Sequence, residues 1–408
     1  MRKRPRLSPS PETAAVLGLA RASRRAVMRG ILASGALLGA GVTLAGCGTA
    51  GARKAEGSCV SDDLSAGEKT INFSNWPQYI DVDEKDESKR PTLLAFQQQT
   101  GIQVTYNEDI NDNNEFFGKV RNQLAGCQPT GRDIMVLTDW LAARMIRLGW
   151  LQKLDKTNLP NVEAKRLLSL RARSFDTNDE YGVPWQSGIA GIAFNGTVAK
   201  DVRTVDELLT RPDLKGKVTA LSEMRDTMGL LLQSNGHDPT KFTDAQFDDA
   251  LEKLRKAVAG GQIRRFTGND YAPELAKGDI VACIGWSGDV VQLAADNPKI
   301  QFVVPESGAI MFSDNMVVPN RSSHKSNAEK LMNHYYDPKV AAEVAAYVNY
   351  ICPVEGAQAE AEKIDPELAK NPLIFPDHTI LARTKVFMAL DEAQERSYEQ
   401  KFQQVIGA

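Results

Sequence analysis

From residue 70 onward, strand-like and helix-like segments alternate, and this order restricts the fold more than any other feature of the chain. Thr70-Ile71-Asn72-Phe73 reads as a strand, and Leu93 to Thr100 as a helix stopped by Gly101. Ile102-Gln103-Val104-Thr105-Tyr106 alternates apolar and polar residues, a strand signal. Phe116, Phe117, Val120 and Leu124 recur at helical spacing, Asp133 to Leu137 reads as a buried strand, and Trp140 to Leu148 as a helix ending at Gly149. A β-α-β-α-β order calls for a mostly parallel sheet with helices on both faces. Ligands of such sheets bind beyond the carboxyl ends of the strands.

Val183-Pro184-Trp185 leads into Gly188 to Asn195, a strand long enough to leave one lobe and enter another. A second α/β region follows: Val218 to Leu221, helices around Met228 to Gln233 and Asp244 to Val258, and a strand from Ile280 to Trp286. The chain is expected to return to the first lobe near Met311 to Val318, before helices Asn327 to Tyr336 and Pro338 to Tyr347. The expected lobes are 68–191 plus 310–352, and 192–309 plus 353–408. No internal repeat is visible.

The chain before this region carries an export pattern. Ser23-Arg24-Arg25-Ala26-Val27-Met28-Arg29 precedes an apolar run, Ile31 to Thr43, and then Leu44-Ala45-Gly46-Cys47. A basic segment, a short apolar segment and small residues make a secretory signal peptide, and the run is too short and too rich in Gly and Ala to span a membrane. The final four residues resemble a bacterial lipobox, which implies cleavage before Cys47 and a lipid on it. The arginine pair resembles a twin-arginine signal. Residues 1–46 are thus expected to be removed, and 47–67, rich in Gly, Ala, Ser and charge, to form a flexible tether.

Removal of that segment changes the charge. Of 49 basic and 52 acidic residues, eight and one lie before residue 47, leaving 41 and 51, a net charge of −10. That sign argues against nucleic acid as a partner and favours cations. Apart from Cys47, four cysteines remain, which allow three pairings. Cys59 and Cys127 both lie in polar, turn-like surroundings that suit a surface disulfide, whereas Cys283 sits in an apolar run and reads as a small core residue. The four histidines are scattered and there is no Cys-x-x-Cys, so no metal or other cofactor is expected. Gly-x-Ser-x-Gly is absent, and Ser287-Gly288-Asp289 has no histidine near it, so an enzyme is not expected.

Seven short segments in order resemble bacterial spermidine/putrescine-binding proteins. They are Asn75-Trp76-Pro77-Gln78-Tyr79; Asp133 to Leu137 with Thr138-Asp139-Trp140; Val183-Pro184-Trp185 with Gly188 to Asn195; Met224-Arg225-Asp226; Ile284-Gly285-Trp286-Ser287-Gly288; Met311-Phe312-Ser313-Asp314; and Asn349-Tyr350-Ile351-Cys352-Pro353. The likeness spans roughly residues 70–355. It implies an α/β, two-lobed periplasmic-binding-protein fold (type II-like), each lobe a mixed or mostly parallel sheet flanked by helices. The implied function is a receptor, expected to be monomeric, that delivers a polyamine to the permease and ATPase of an ABC importer. By this resemblance Trp76 and Tyr79 would line the first lobe's wall, Thr138 and Trp140 would sit at the loop after strand Asp133 to Leu137, Glu223 and Asp226 would face them from the second lobe, and Trp286, Asp314 and Tyr350 would complete the box, with Phe312 as one further aromatic wall. Gln78 stands where a Glu can occur, Glu223 where an Asp is usual, and Phe312 where a Trp is usual. These departures bear on which ligand binds rather than on its class.

The residue types suit that ligand. A polyamine joins ammonium groups by methylenes. Carboxylates meet the charges through charge-assisted hydrogen bonds, and aromatic faces cover the methylenes while attracting the cations. Each residue also has a plainer role open to it: Asp226 as a helix cap, Tyr79 as lobe packing, Trp140 as the first buried turn of its helix. Trp150 and Trp185 read as core. The same fold could instead take thiamine, a sugar or a ferric ion, or serve a sensor lipoprotein.

Overall fold

A computed structural model describes residues 59–407, Glu84 excepted. The expected signal peptide, Cys47 and the first part of the expected tether lie outside the described residues.

The strands are β1 (Thr70–Asn75), β2 (Gln103–Glu108), β3 (Ile134–Thr138), β4 (Gly182–Asn195), β5 (Val218–Leu221), β6 (Ile263–Thr267), β7 (Ala282–Trp286), β8 (Ile300–Val303), β9 (Ala309–Val317) and β10 (Thr384–Val386). Their order is β2-β1-β3-β9-β4-β7-β5-β6, with β8 beside β4 and β10 beside β9. Both ends of this sheet are parallel: β1 pairs with β2 and β3, and β5 with β6 and β7. The middle is antiparallel, because β4 carries the chain outward and β9 brings it back. Helices intervene between successive parallel strands, as a parallel pairing requires. The fold is the mixed α/β, two-lobed arrangement that the order of segments calls for.

β4 joins the two halves. Its first part pairs with β9 from Gly182 to Ala190, and its last part pairs with β7 from Ala190 to Phe194. All 14 of its residues are buried, which explains a nearly continuous run of apolar and small side chains. The strand begins six residues before the expected Gly188. Pro184 hides that beginning, and the structure accommodates it at a register shift between Pro184 and Gln186. Trp185 is core as expected, edge-on to Phe73 and Tyr335, with its indole N–H donated to the Tyr79 carbonyl at 3.2 Å.

The chain is fixed earlier than the expected end of the tether at residue 67. Cys59 pairs with Cys127, with Cα atoms 5.6 Å apart. The Leu64 N–H donates to the Ser323 carbonyl at 2.7 Å, and Ser326 donates to Asp63. Cys283 and Cys352 are free and buried. Toward the C-terminus, helix Ala357–Ile364 packs on helix Pro338–Val348, whereas helix Glu392–Ile406 packs on helix Asp244–Ala259. No helix among the described residues is long and apolar enough to cross a membrane.

Candidate functional site

β1, β3, β5 and β7 all point their carboxyl ends at one place. Trp76 and Tyr79 follow β1, Thr138 ends β3, Glu223 and Asp226 follow β5, and Trp286 ends β7. Asp314 joins them from β9, where the sheet register sets it opposite Thr138. Asn349, in a left-handed conformation (φ 57°), ends helix Pro338–Val348 and turns the chain so that Tyr350 enters the same space. These side chains enclose a cavity of about 30 Å³.

Four carboxylates stand around it, all buried, and each is held by donors from the walls. Asp314 accepts from the Tyr79 hydroxyl at 2.8 Å and from Thr138 Oγ1 at 2.7 Å. Asp289 accepts from the hydroxyls of Tyr350 at 2.6 Å and Tyr271 at 2.8 Å, and from Asn269 Nδ2 at 3.0 Å. Asp226 accepts from Trp286 Nε1 at 2.7 Å. Glu223 accepts from Trp140 Nε1 at 3.1 Å and Asn113 Nδ2 at 3.3 Å. Glu223, rather than Asp226, caps helix Met224–Ser234, taking the Arg225 N–H at 3.3 Å. Asp226 lies in the first helical turn, and its carboxylate takes Trp286 Nε1 rather than capping the helix.

Burial pushes all four carboxylates upward. Asp289 is raised to about 6 and Asp314 to about 7, in both cases by loss of water, against hydrogen bonds that favour the ion. Glu223 and Asp226 are raised for the same reason, and the nearby Arg225 pulls each back only in part. Arg225 does not neutralise the box. Its guanidinium lies over the Trp140 ring, 4.0 Å from the centroid, and donates to Glu395 at 2.7 Å and Glu399 at 3.1 Å. Its distance to Glu223 is 3.8 Å. The box is therefore a cluster of carboxyls whose ionised forms are costly until a cation enters.

Aromatic rings supply the remaining walls. Trp76 meets Trp286 edge-on at 6.1 Å between centroids, Tyr79 meets Tyr350 at 4.8 Å, and Phe312 stands 6.1 Å from Trp286 and 6.5 Å from Tyr350. Two glycines make this crowding possible. A Cβ on Gly288 would lie 2.1 Å from the Tyr350 ring, and one on Gly188 would lie 2.4 Å from Phe312. Residues from the two halves touch across the cavity, as in the Tyr350–Asp289 and Asn113–Glu223 hydrogen bonds. A chain-like molecule can enter only when the walls part.

Nine of the ten ligand-binding residues expected from the sequence line this cavity: Trp76, Tyr79, Thr138, Glu223, Asp226, Trp286, Phe312, Asp314 and Tyr350. Trp140 does not. It stands behind Glu223, clamped between that carboxylate and Arg225. Pro77, Asn113, Asn269 and Asp289 also line the cavity and were not expected. Asp289 carried a usable signal: an acid three residues after a strand-ending Trp, in the first turn of helix Ser287–Asp296.

Residues 93–376 match the model of the bacterial extracellular solute-binding protein family. The Escherichia coli putrescine-binding periplasmic protein PotF is 30% identical over 82% of this chain and 90% of its own length. The Escherichia coli spermidine/putrescine-binding periplasmic protein is 26% identical over 76% of this chain and 83% of its own length. A solved chain from Listeria monocytogenes, described as a spermidine/putrescine ABC transporter, superposes with a TM-score of 0.71 at 26% identity, covering 83% of this chain and 99% of that one. This chain belongs to the bacterial extracellular solute-binding proteins.

Proposed function

We propose that this protein is an extracytoplasmic receptor that binds a polyamine, putrescine or spermidine, in the cavity at the strand ends and delivers it to an ABC importer. One observation carries the reading. Four buried carboxyls share one cavity with aromatic walls, and Arg225, 3.8 Å from Glu223, makes its shorter contacts with Glu395 and Glu399 instead. Such a site is complementary to a flexible molecule with two or more positive charges separated by methylenes. It is a poor site for a sugar, which carries no charge to offset the carboxylates, or for an anion. The relatives named for putrescine and spermidine support the same ligand class.

In this reading Asp314, Asp289 and Asp226 hold ammonium groups, Glu223 adds charge beside them, and Trp76, Tyr79, Trp286, Phe312 and Tyr350 cover the methylenes. Thr138 and Asn113 orient the carboxylates. The protein acts as a monomer, carries no enzymatic activity and is tethered through a lipid on Cys47. β4 and β9 form the crossing about which the lobes close, near Gly191 and Ser313.

Calorimetric titration with putrescine, spermidine, spermine and thiamine tests the ligand class. Binding of at least one polyamine more tightly than thiamine is the expected result. Binding of thiamine alone, or of none of the four, refutes it.

A further inference from the structure

A second cavity, of about 1480 Å³, lies against the first. Thr138, Glu223, Asp226 and Phe312 line both, so these four residues form a shared wall. Beyond the wall the lining changes in kind. Ile351, Ile374, Phe375, Phe387, Met388 and Leu390 line the second cavity and not the first. Leu381 and Val386 line it too and are 45% and 58% exposed, so this side opens to solvent. Its three cationic side chains are already engaged. Arg147 pairs with Glu395 at 2.7 Å, Arg173 with Asp139 at 3.0 Å, and Arg225 with Glu395 and Glu399. A positive group placed at the shared wall thus meets the carboxylates of Glu223 and Asp226 and no unpaired cation.

The two spaces together describe an asymmetric ligand. We propose that the receptor takes mono-N-alkylated polyamines: a diamine head in the carboxylate box, a secondary ammonium at the Glu223–Asp226 wall, and an alkyl or aryl substituent in the apolar cavity beyond. This rests on the polyamine reading of the box. The charge at the wall favours an alkyl over an acyl substituent. An amide nitrogen carries no charge and cannot draw these two buried carboxyls, 6% and 4% exposed, into the ion pairs that a secondary ammonium makes. The apolar lining favours a hydrophobic substituent, since each methylene or ring face moved from water onto it is stabilising.

The test is calorimetric titration of the purified protein with putrescine, N-benzylputrescine and N-benzoylputrescine. N-benzylputrescine binds within about tenfold of putrescine, and N-benzoylputrescine at least about tenfold more weakly than N-benzylputrescine. Met388→Arg, which alters only the second cavity, weakens N-benzylputrescine by at least about tenfold and putrescine by less than about threefold. Ala389→Arg, at an exposed position on the same wall, replaces it if that variant does not fold. The inference is overturned if N-benzylputrescine binds more than about tenfold worse than putrescine, if the benzoyl compound matches the benzyl one, or if wall variants change both ligands alike. If no unsubstituted polyamine binds either, the polyamine reading itself has failed.

Discussion

Asp314→Asn separates a ligand-holding carboxylate from one that merely holds the fold. The carboxylate accepts two hydroxyl donors, Tyr79 at 2.8 Å and Thr138 at 2.7 Å, and lines the same cavity as Asp226. An ammonium that loses a buried carboxylate partner is weakened by about 2–5 kcal/mol. That corresponds to an affinity loss of roughly 30-fold to several thousandfold. Phe312→Leu removes one ring face, worth about 0.5–2 kcal/mol. The midpoints of these ranges differ by about 2 kcal/mol, so the Asn variant is expected to lose roughly thirtyfold more affinity than the Leu variant. Stability moves the other way. The Asp314 carboxyl is raised from 3.8 to about 7 in the fold, so its stabilising, protonated form is lost as pH rises through 7. At pH 8 the ionised side chain costs about 4 kcal/mol. A neutral amide removes that cost and forfeits about 1 kcal/mol of hydrogen bonding with one of the two hydroxyls. Ligand-free Asp314→Asn thus melts at or above the wild-type temperature at pH 8 while calorimetry with putrescine and spermidine records the loss. Wild-type affinity for every polyamine refutes the reasoning. So does a variant that loses binding and several degrees of melting temperature together, since Asp314 would then be a residue of the fold.

Polyamine affinity rises from pH 5.5 to 8, by up to about tenfold per pH unit for each proton displaced, because carboxylates raised by burial must ionise to meet ammonium. Titrations near pH 6.5 in two buffers of different ionisation enthalpy read the protons released, and a flat or falling profile contradicts the charge assignment. Gly288→Ala pushes Tyr350 off Asp289, since the new Cβ would lie 2.1 Å from the ring, and lowers affinity by at least about tenfold; unchanged affinity would mean that Tyr350 can move without cost. Glu395→Gln cuts a bridge in which one carboxylate takes Arg225 at 2.7 Å, Arg147 at 2.7 Å and Arg144 at 3.3 Å. Ligand dissociation measured by stopped flow accelerates about three- to tenfold with association little changed, and an unaltered dissociation rate removes any role in holding the walls together. Cys47→Ala shifts the protein from the membrane to the soluble fraction on cell fractionation, and a variant still in the membrane at mature size excludes the lipid anchor.

Elements with strong periodicity or clear stops were legible from the residues alone. Helix Asp244–Ala259 opens on a Thr243–Gln246 capping box, and helix Pro91–Thr100 stops at a left-handed Gly101. β6 and β8 were not legible. β6 carries Arg264 and Arg265 in a five-residue edge strand, a composition that belongs as much to a loop. The site was legible where an aromatic or an acid ended an apolar strand, as at Trp286, or followed one, as at Trp76. It was not legible where the role depended on packing between distant segments. Nothing local distinguishes Trp286, which faces the cavity, from Trp140, which is turned onto Glu223 by Arg225. Asn113 and Asn269 matter through partners 110 and 20 residues away in the chain, Glu223 and Asp289.

The Cys59–Cys127 bond has a mechanical meaning. It closes a covalent loop between cysteines 68 positions apart, and the loop contains β1, β2 and the two helices beside them. A pull on the chain ahead of Cys59 reaches Cys127 through the sulfurs, and part of the tension passes directly to the segment entering β3. Without the bond the same pull would first strip residues 60–69 from the surface and then draw on β1, whose neighbours are β2 and β3. Trp76 and Tyr79 follow β1 directly, so that path would distort the binding wall. If the receptor is held by a lipid on Cys47 as proposed, the bond acts as strain relief: it keeps load on that anchor out of the strand that leads into the proposed binding wall.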